Sequence, residues 1–81
     1  MTDKEWKEFH ENRVLAVRLS VDLKNSLREG AVHVNNYTFV EMIRQKFCNV
    51  LKSKGLTQFH INNAWNKVND EVWHWAVTQM D

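Results

Sequence analysis

The sequence predicts a mainly α-helical domain that contains one short β-strand. The chain lacks proline and has only two glycines among 81 residues, which favours helices. Residues 15–23 alternate apolar with small or polar side chains, and this period of two is typical of a half-buried strand. An all-α three-helix bundle is the alternative, because four leucines of this region also recur every fourth residue: Leu15, Leu19, Leu23 and Leu27.

The strand is predicted where the alternation is strict, with aliphatic side chains at its odd positions: Leu15, Val17, Leu19, Val21 and Leu23. The next three residues are polar, so a first helix is predicted with Ser20 as its N-cap and a turn at Asn35-Asn36 as its end. In the alternative interpretation, one helix runs from Asp3 to Glu29 and ends at Gly30. Periodicity alone does not separate the two.

Two later helices have more regular signals. Thr38 and Glu41 have capping-box spacing, and the helix that they open ends at Gly55. Its apolar face comprises Val40, Ile43, Phe47, Val50 and Leu51. Thr57 caps a third helix, whose apolar residues are Ile61, Trp65, Val68, Val72, Trp75 and Met80. The capping box at residues 2–5 predicts a short N-terminal helix.

We therefore divide the single domain into three segments. Residues 1–12 form an N-terminal helical arm, residues 13–55 contain the strand and two helices, and residues 56–81 form a C-terminal helix with three of the four tryptophans.

The formal net charge is only +1, but residues 13–54 carry eight basic and three acidic side chains. This asymmetry indicates either a polyanionic partner or a solvated basic surface.

Several classes of protein are disfavoured by the composition. No apolar run approaches membrane-spanning length, and the charged N-terminus resembles no signal peptide. The single Cys48 cannot form an internal disulfide, which fits a reducing compartment, so we expect a cytoplasmic protein. The four histidines lack metal-site spacing, and no nucleophilic triad or phosphate-binding glycine loop is present. We therefore expect no metal, no cofactor and no enzymatic activity.

Residues 14–54, interpreted as strand, helix, turn and helix, resemble the ribbon-helix-helix family of DNA-binding proteins, the superfamily of the phage Arc repressor and the methionine repressor. The segment LAVRLSVDL matches the strand and the start of the first helix, with Arg18-Leu19-Ser20 where the family often has Arg-Leu-Pro. The segment TFVEMIRQKFCNVL matches the second helix, with Glu41 at the glutamate position and Asn35 at the turn. Gly30, inside the first helix, departs from the pattern.

The resemblance implies an obligate homodimer whose paired strands enter the major groove of DNA. The outward side chains of the strand would contact bases: Val14, Ala16 and Arg18. Only Arg18 among them could hydrogen-bond to a base, by holding guanine O6 and N7 together. The dimer core would comprise the inward strand residues and apolar helix positions: Leu15, Val17, Leu19, Leu23, Ile43 and Phe47.

The resemblance also implies phosphate contacts at the start of the second helix. Free amides near Thr38 and Phe39, with the side chains of Asn36 and Tyr37, would hold a phosphate, and Arg13 would lie at the edge of the ribbon. We therefore expect sequence-specific binding of double-stranded DNA by a homodimer or higher oligomer. The corresponding biological role would be a transcriptional regulator of the repressor type.

The alternative function is a small protein-interaction module or inhibitor, including the antitoxin type, that binds another protein through its C-terminal helix. Trp73 and Trp75 lie on nearly opposite sides of that helix, so we expect one of them to be exposed. An exposed tryptophan is suited to a protein contact. The three-helix bundle would favour this alternative, because it provides no strand to form a DNA-binding ribbon.

Overall fold

Three α-helices make up the computed structural model of the protein, which describes residues 2–79 except for the side chain of Gln79. Helix α1 spans Asp3–Glu29, α2 spans Asn36–Ser53 and α3 spans Gln58–Gln79. No strand occurs among residues 2–79. Met80, predicted on the apolar face of the third helix, lies outside the described residues.

The predicted strand and the ribbon-helix-helix fold are therefore wrong, and the alternative three-helix bundle is confirmed. Residues 14–20 lie in the middle of α1, and that helix has the bounds of the alternative interpretation. The residues of α1 that enter the core are spaced by three and four positions: Asn12, Ala16, Ser20 and Leu23. The small residues at even positions are thus packed inside, so the apparent alternation is part of a helical pattern.

The helix starts confirm some predicted caps and correct others. Thr2 caps α1, because its hydroxyl accepts a hydrogen bond from the Glu5 amide at 3.2 Å. Ser20 is no N-cap, since its hydroxyl lies within α1 and donates to the Ala16 carbonyl at 2.8 Å. The cap of α2 is Asn35 rather than Thr38. The predicted turn at Asn35 thus supplies the cap that begins the next helix.

The first two helices end in similar turns. In α1, the Val32 amide donates to the Leu27 carbonyl at 2.9 Å, and the Ala31 amide donates to Arg28 at 3.1 Å. These two bonds are those of a Schellman motif, which requires a left-handed residue. Ala31 occupies that position in α1 with φ of 52°, and Gly55 occupies it after α2 with φ of 85°.

The core lies between α2 and α3 and is closed by the small side chains of α1. Its buried apolar residues are Ala16, Leu23, Phe39, Val40, Ile43, Phe47, Leu51, Ile61, Ala64, Trp65, Val68, Val72 and Ala76. The rings of Phe47 and Trp65 meet edge to face, with centroids 5.5 Å apart. The apolar faces predicted for the second and third helices are therefore largely confirmed.

Two polar contacts join α1 to α3 at the surface. Glu8 Oε1 lies 2.5 Å from His60 Nε2 near the start of both helices. Further along, Arg13 Nε donates to Glu71 Oε2 at 2.8 Å. From the first contact to the second, the residue number increases along both helices, so α1 and α3 run parallel. The two contacts fix the position of α1 along α3.

Candidate functional site

The three residues predicted to contact DNA bases do not form a common surface. Val14 and Arg18 are exposed on the outer side of α1. Ala16 is only 2% exposed and packs in the core. A base-reading surface needs side chains that reach a groove together, and the helical geometry separates these three. The predicted base-contact set is therefore not assembled in this fold.

The residues predicted to bind phosphate are largely occupied by other contacts. Asn35 accepts hydrogen bonds from the Thr38 amide through its side chain at 2.8 Å and from the Phe39 amide through its carbonyl at 3.0 Å. Phe39 is completely buried, while Asn36 is half-buried and Tyr37 is exposed. Both amides of the predicted phosphate clamp thus already have acceptors within the helix. Arg13, the remaining member, is paired with Glu71.

The predicted dimer core is divided between the interior and the surface of a single chain. Leu23, Ile43 and Phe47 are buried among the other helices of the same chain. Leu15 and Leu19 are half-buried against that core, whereas Val17 is exposed. The described chain therefore covers most of this apolar set without a second copy.

The two tryptophans predicted to contact another protein are both half-buried. Trp75 stacks on Phe39 with ring centroids 5.8 Å apart and an interplanar angle of 11°, and the Lys24 ammonium lies 5.8 Å from its ring centroid. Trp73 lies against Tyr37 at 6.3 Å. Both rings thus stabilise the contact of α3 with its neighbours, as edge and face pairs of aromatic rings do. They leave only part of each indole at the surface.

A row of exposed valines on α1 is the apolar surface that the structure adds. Val14, Val17 and Val21 expose 55%, 45% and 41% of their surfaces, and their spacing places them on one side of the helix. We call these three residues the valine stripe. The sequence did not predict this stripe, because Val17 was placed on the inward face of a strand and Val14 was assigned to DNA bases. The i, i+3, i+7 spacing was the available signal.

Two shallow hollows adjoin the valine stripe and share Val17. The first, about 390 Å³, is lined by His10, Arg13, Val14, Val17 and Arg18. The second, about 500 Å³, lies between α1 and α3 and is lined by Val17, Asp70, Glu71, His74, Trp75 and Thr78. The first hollow contains two guanidinium groups and no carboxylate. The stripe thus has a basic side along α1 and an acidic side along α3.

Two of the eight basic residues of the middle segment are paired with carboxylates. Arg13 pairs with Glu71, and Arg44 lies 3.8 Å from Glu41. Arg18, by contrast, is exposed and forms no ion pair within residues 2–79. Its charge is therefore available to a partner that covers the valine stripe.

Comparison with protein-family models, with curated proteins and with solved structures finds no match to this chain. Within residues 2–79, no three His, Cys, Asp or Glu side chains lie close enough together to hold a metal ion. None of the three helices has, over its described residues, the length and apolar character needed to cross a membrane.

Proposed function

We propose that this protein is a protein-interaction module that binds an amphipathic, acidic helix of a partner protein on the valine stripe. The observation that carries the proposal is the contiguous row of exposed valines beside an unpaired arginine. Single exposed apolar side chains are ordinary in folded proteins, whereas a contiguous exposed apolar surface marks an interaction site. A partner helix can pack along a row of apolar side chains on a helix and bury them.

Charge complementarity supports an acidic partner. The hollow beside Val14 and Val17 is lined by Arg13, Arg18 and His10. Arg13 is paired with Glu71, so Arg18 provides the positive charge that is free for a partner. A partner helix with aspartate or glutamate next to its apolar face would place an acceptor near Arg18. Such rim charges chiefly speed association and select the partner, while burial of the valines supplies affinity.

The unpaired charge of Arg18 disfavours antiparallel pairing of the valine stripe with that of a second copy of the chain. A twofold interface uses the same patch on both subunits. Antiparallel pairing of two valine stripes would place the unpaired Arg18 guanidinium groups of both chains on the same side of the interface. Like charges brought together at an interface oppose association.

The C-terminal helix takes a smaller part in this proposal than the sequence predicted. Trp75 forms a wall of the second hollow beside Val17, so its exposed edge can extend the apolar surface. Trp73 packs against Tyr37 and does not line either hollow. The main contact is therefore assigned to α1, with Trp75 at its margin.

DNA binding stays a prediction, and without the ribbon it rests on the charge of residues 13–54 alone. A helical bundle offers no paired strands for the major groove, so the ribbon is no longer part of that prediction. The same experiment can test both functions if duplex DNA is included as a second ligand.

The test uses the full chain and a fluorescently labelled, designed amphipathic peptide of about 18 residues, with leucines on one face and glutamates beside them. Fluorescence anisotropy measures its dissociation constant. The variant that combines Val14→Ser, Val17→Ser and Val21→Ser should weaken binding at least about tenfold, because the apolar contact is lost. Val77→Ser is the matched control, since Val77 is 49% exposed on α3 and lines neither hollow.

Three outcomes would overturn the proposal. The first is equal affinity of the triple variant and the unchanged protein. The second is equal affinity for a peptide in which lysines replace the glutamates. The third is absence of peptide binding together with tight binding of duplex DNA whose affinity falls steeply with salt, which would favour the DNA-binding prediction instead.

A further inference from the structure

A separate polar cleft lies between the N-terminal halves of α1 and α3. It has a volume of about 220 Å³ and is lined by Glu5, Glu8, Phe9, Asn12, Phe59, His60, Asn63, Ala64 and Lys67. We call it the α1–α3 cleft. It shares no residue with the valine stripe or with the two hollows beside it. A function of this cleft would thus be independent of the proposed helix-binding surface.

The side chain of Asn12 brings to the cleft hydrogen-bonding groups that no other described side chain uses. Asn12 is 9% exposed, yet its amide takes part in none of the side-chain hydrogen bonds of residues 2–79. Neither polar atom of this amide is fully enclosed by the protein, so the amide opens into the cleft that Asn12 lines. Its polar atoms therefore remain open to solvent in the cleft, and a bound ligand can use their hydrogen-bonding capacity.

The charges of the cleft are arranged along its length. Glu5 and Glu8 lie on α1 at the end where α3 begins, beside Phe59. Lys67 lies eight residues after Phe59, which is about 12 Å further along α3. Glu8 contacts His60 through one oxygen, and a carboxylate has a second oxygen that can accept further bonds. The cleft therefore has an acidic end and a basic end, with the amide of Asn12 between them.

Aromatic rings make the acidic end suited to a planar cation. Phe59 is 78% exposed, the highest exposure of the large apolar side chains described. Phe9, on the opposite wall, already lies under the guanidinium of Arg13, whose Cζ is 5.6 Å from the ring centroid. A guanidinium stacks on an aromatic face and donates to carboxylates in the same plane. Phe59 with Glu5 and Glu8 supplies both kinds of contact.

We propose that the α1–α3 cleft binds a small molecule with a guanidinium group at one end and an α-ammonium and carboxylate at the other, the chemistry of free arginine. The guanidinium lies between Phe59 and the carboxylates of Glu5 and Glu8. The ligand carboxylate accepts hydrogen bonds from the Lys67 ammonium and the Asn12 amide. The cleft is smaller than the roughly 300–1,000 Å³ of pockets for drug-sized ligands, which fits a single amino acid.

Isothermal titration calorimetry of the full chain with three related ligands tests the assignment of each end. Arginine should bind. Agmatine lacks the carboxylate and citrulline replaces the guanidinium by an uncharged group, so each should bind at least about tenfold more weakly. Absence of arginine binding at millimolar concentration, or equal binding of all three ligands, would overturn the proposal.

Two variants test the residues of the cleft. Lys67→Gln should weaken arginine binding but leave the already weak binding of agmatine unchanged, because agmatine has no carboxylate for Lys67 to bind. Asn12→Leu should weaken arginine binding while circular dichroism reports whether the helices are retained. Lys46→Gln, on α2 and outside the cleft, is the matched control. Arginine affinity that is the same in Lys67→Gln and in the control would overturn the proposed orientation, even if Asn12→Leu does not fold.

Discussion

Over residues 14–21, the fully buried and the exposed side of helix α1 reverse the usual relation between side-chain size and burial. The inward side buries the small residues Ala16 and Ser20, which are 2% and 1% exposed. The outward side exposes the larger valines at positions 14, 17 and 21. Small side chains at positions 16 and 20 allow close approach of a neighbouring helix, whereas the outward valines do not fill the core.

The packing around the small residues explains this difference. Ala16 and Ser20 lie one turn apart, and both line the narrow space between α1 and α3 together with Val68 and Val72. The Ser20 hydroxyl is satisfied by the Ala16 carbonyl, so its burial leaves no polar atom without a partner. Short side chains let two helix backbones come closer than larger ones would, at distances set by the contacting residues.

The largest effect is expected from enlarging the inward side. Ala16→Leu should lower the free energy of unfolding by about 1–3 kcal/mol, because extra methylene groups must be forced into a packed space. Val17→Leu, its neighbour on the outward side, should change that free energy by no more than about 0.5 kcal/mol. Urea unfolding monitored by circular dichroism measures both. Equal destabilisation by the two substitutions would contradict the comparison.

An intermediate effect is expected at the two helix ends, where backbone conformation rather than packing selects a small residue. Gly55→Ala should destabilise the protein by about 1–2 kcal/mol, because its φ of 85° is left-handed and strained for alanine. No atom lies within 4 Å of the added Cβ, so backbone strain and not a clash is the cause. Ala31→Gly should stabilise it by about 0.5–1 kcal/mol, because Ala31 adopts the same strained region. Thermal unfolding should give a lower melting temperature for Gly55→Ala and a higher one for Ala31→Gly than for the unchanged protein.

Gly30→Ala is the control for these two substitutions. Gly30 has φ of −83°, and an added Cβ would meet its nearest neighbours at 3.5 Å, which is ordinary contact. We therefore expect no destabilisation there. A loss of stability in Gly30→Ala similar to that in Gly55→Ala would show that the left-handed backbone is not the cause.

The smallest effect on stability is expected from the valine stripe itself. Val14→Ser and Val21→Ser should each change the free energy of unfolding by no more than about 0.5 kcal/mol, because both side chains are largely exposed in the free protein. Chemical denaturation of the single variants measures this. A loss above 1 kcal/mol would mean that these valines already stabilise the fold, and would remove the reason for assigning them to a partner.

The second and third helices were predictable because the apolar residues of each recur with the helical period alone. Ile43, Phe47 and Leu51 recur by four, and the structure buries all three. The cap of α3 was also predictable, since the Thr57 hydroxyl accepts a hydrogen bond from the His60 amide at 3.2 Å. The α2 cap was placed three residues too late, because Asn35 and Thr38 are both good capping residues.

The candidate sites were less predictable than the helices. Val17 was assigned to an inward position and is exposed, whereas Ala16 was assigned to DNA and is buried. Asn12 received no role, since a single asparagine in a helical segment carries no sequence signal. Its importance depends on α3, which lies more than 40 residues away in the chain and forms the opposite wall of the cleft.

The sequence by itself determined that the chain is mainly helical, where α2 ends and α3 begins, and most of the apolar faces of α2 and α3. These features depend on local capping groups and on a repeat that neighbouring residues share. The tertiary structure alone decided that residues 14–20 are helical and which side of α1 faces inward. The apolar residues of α1 fit both the period of a strand and the period of a helix. The packing of Ala16 and Ser20 against α3 is consistent with the helix alone.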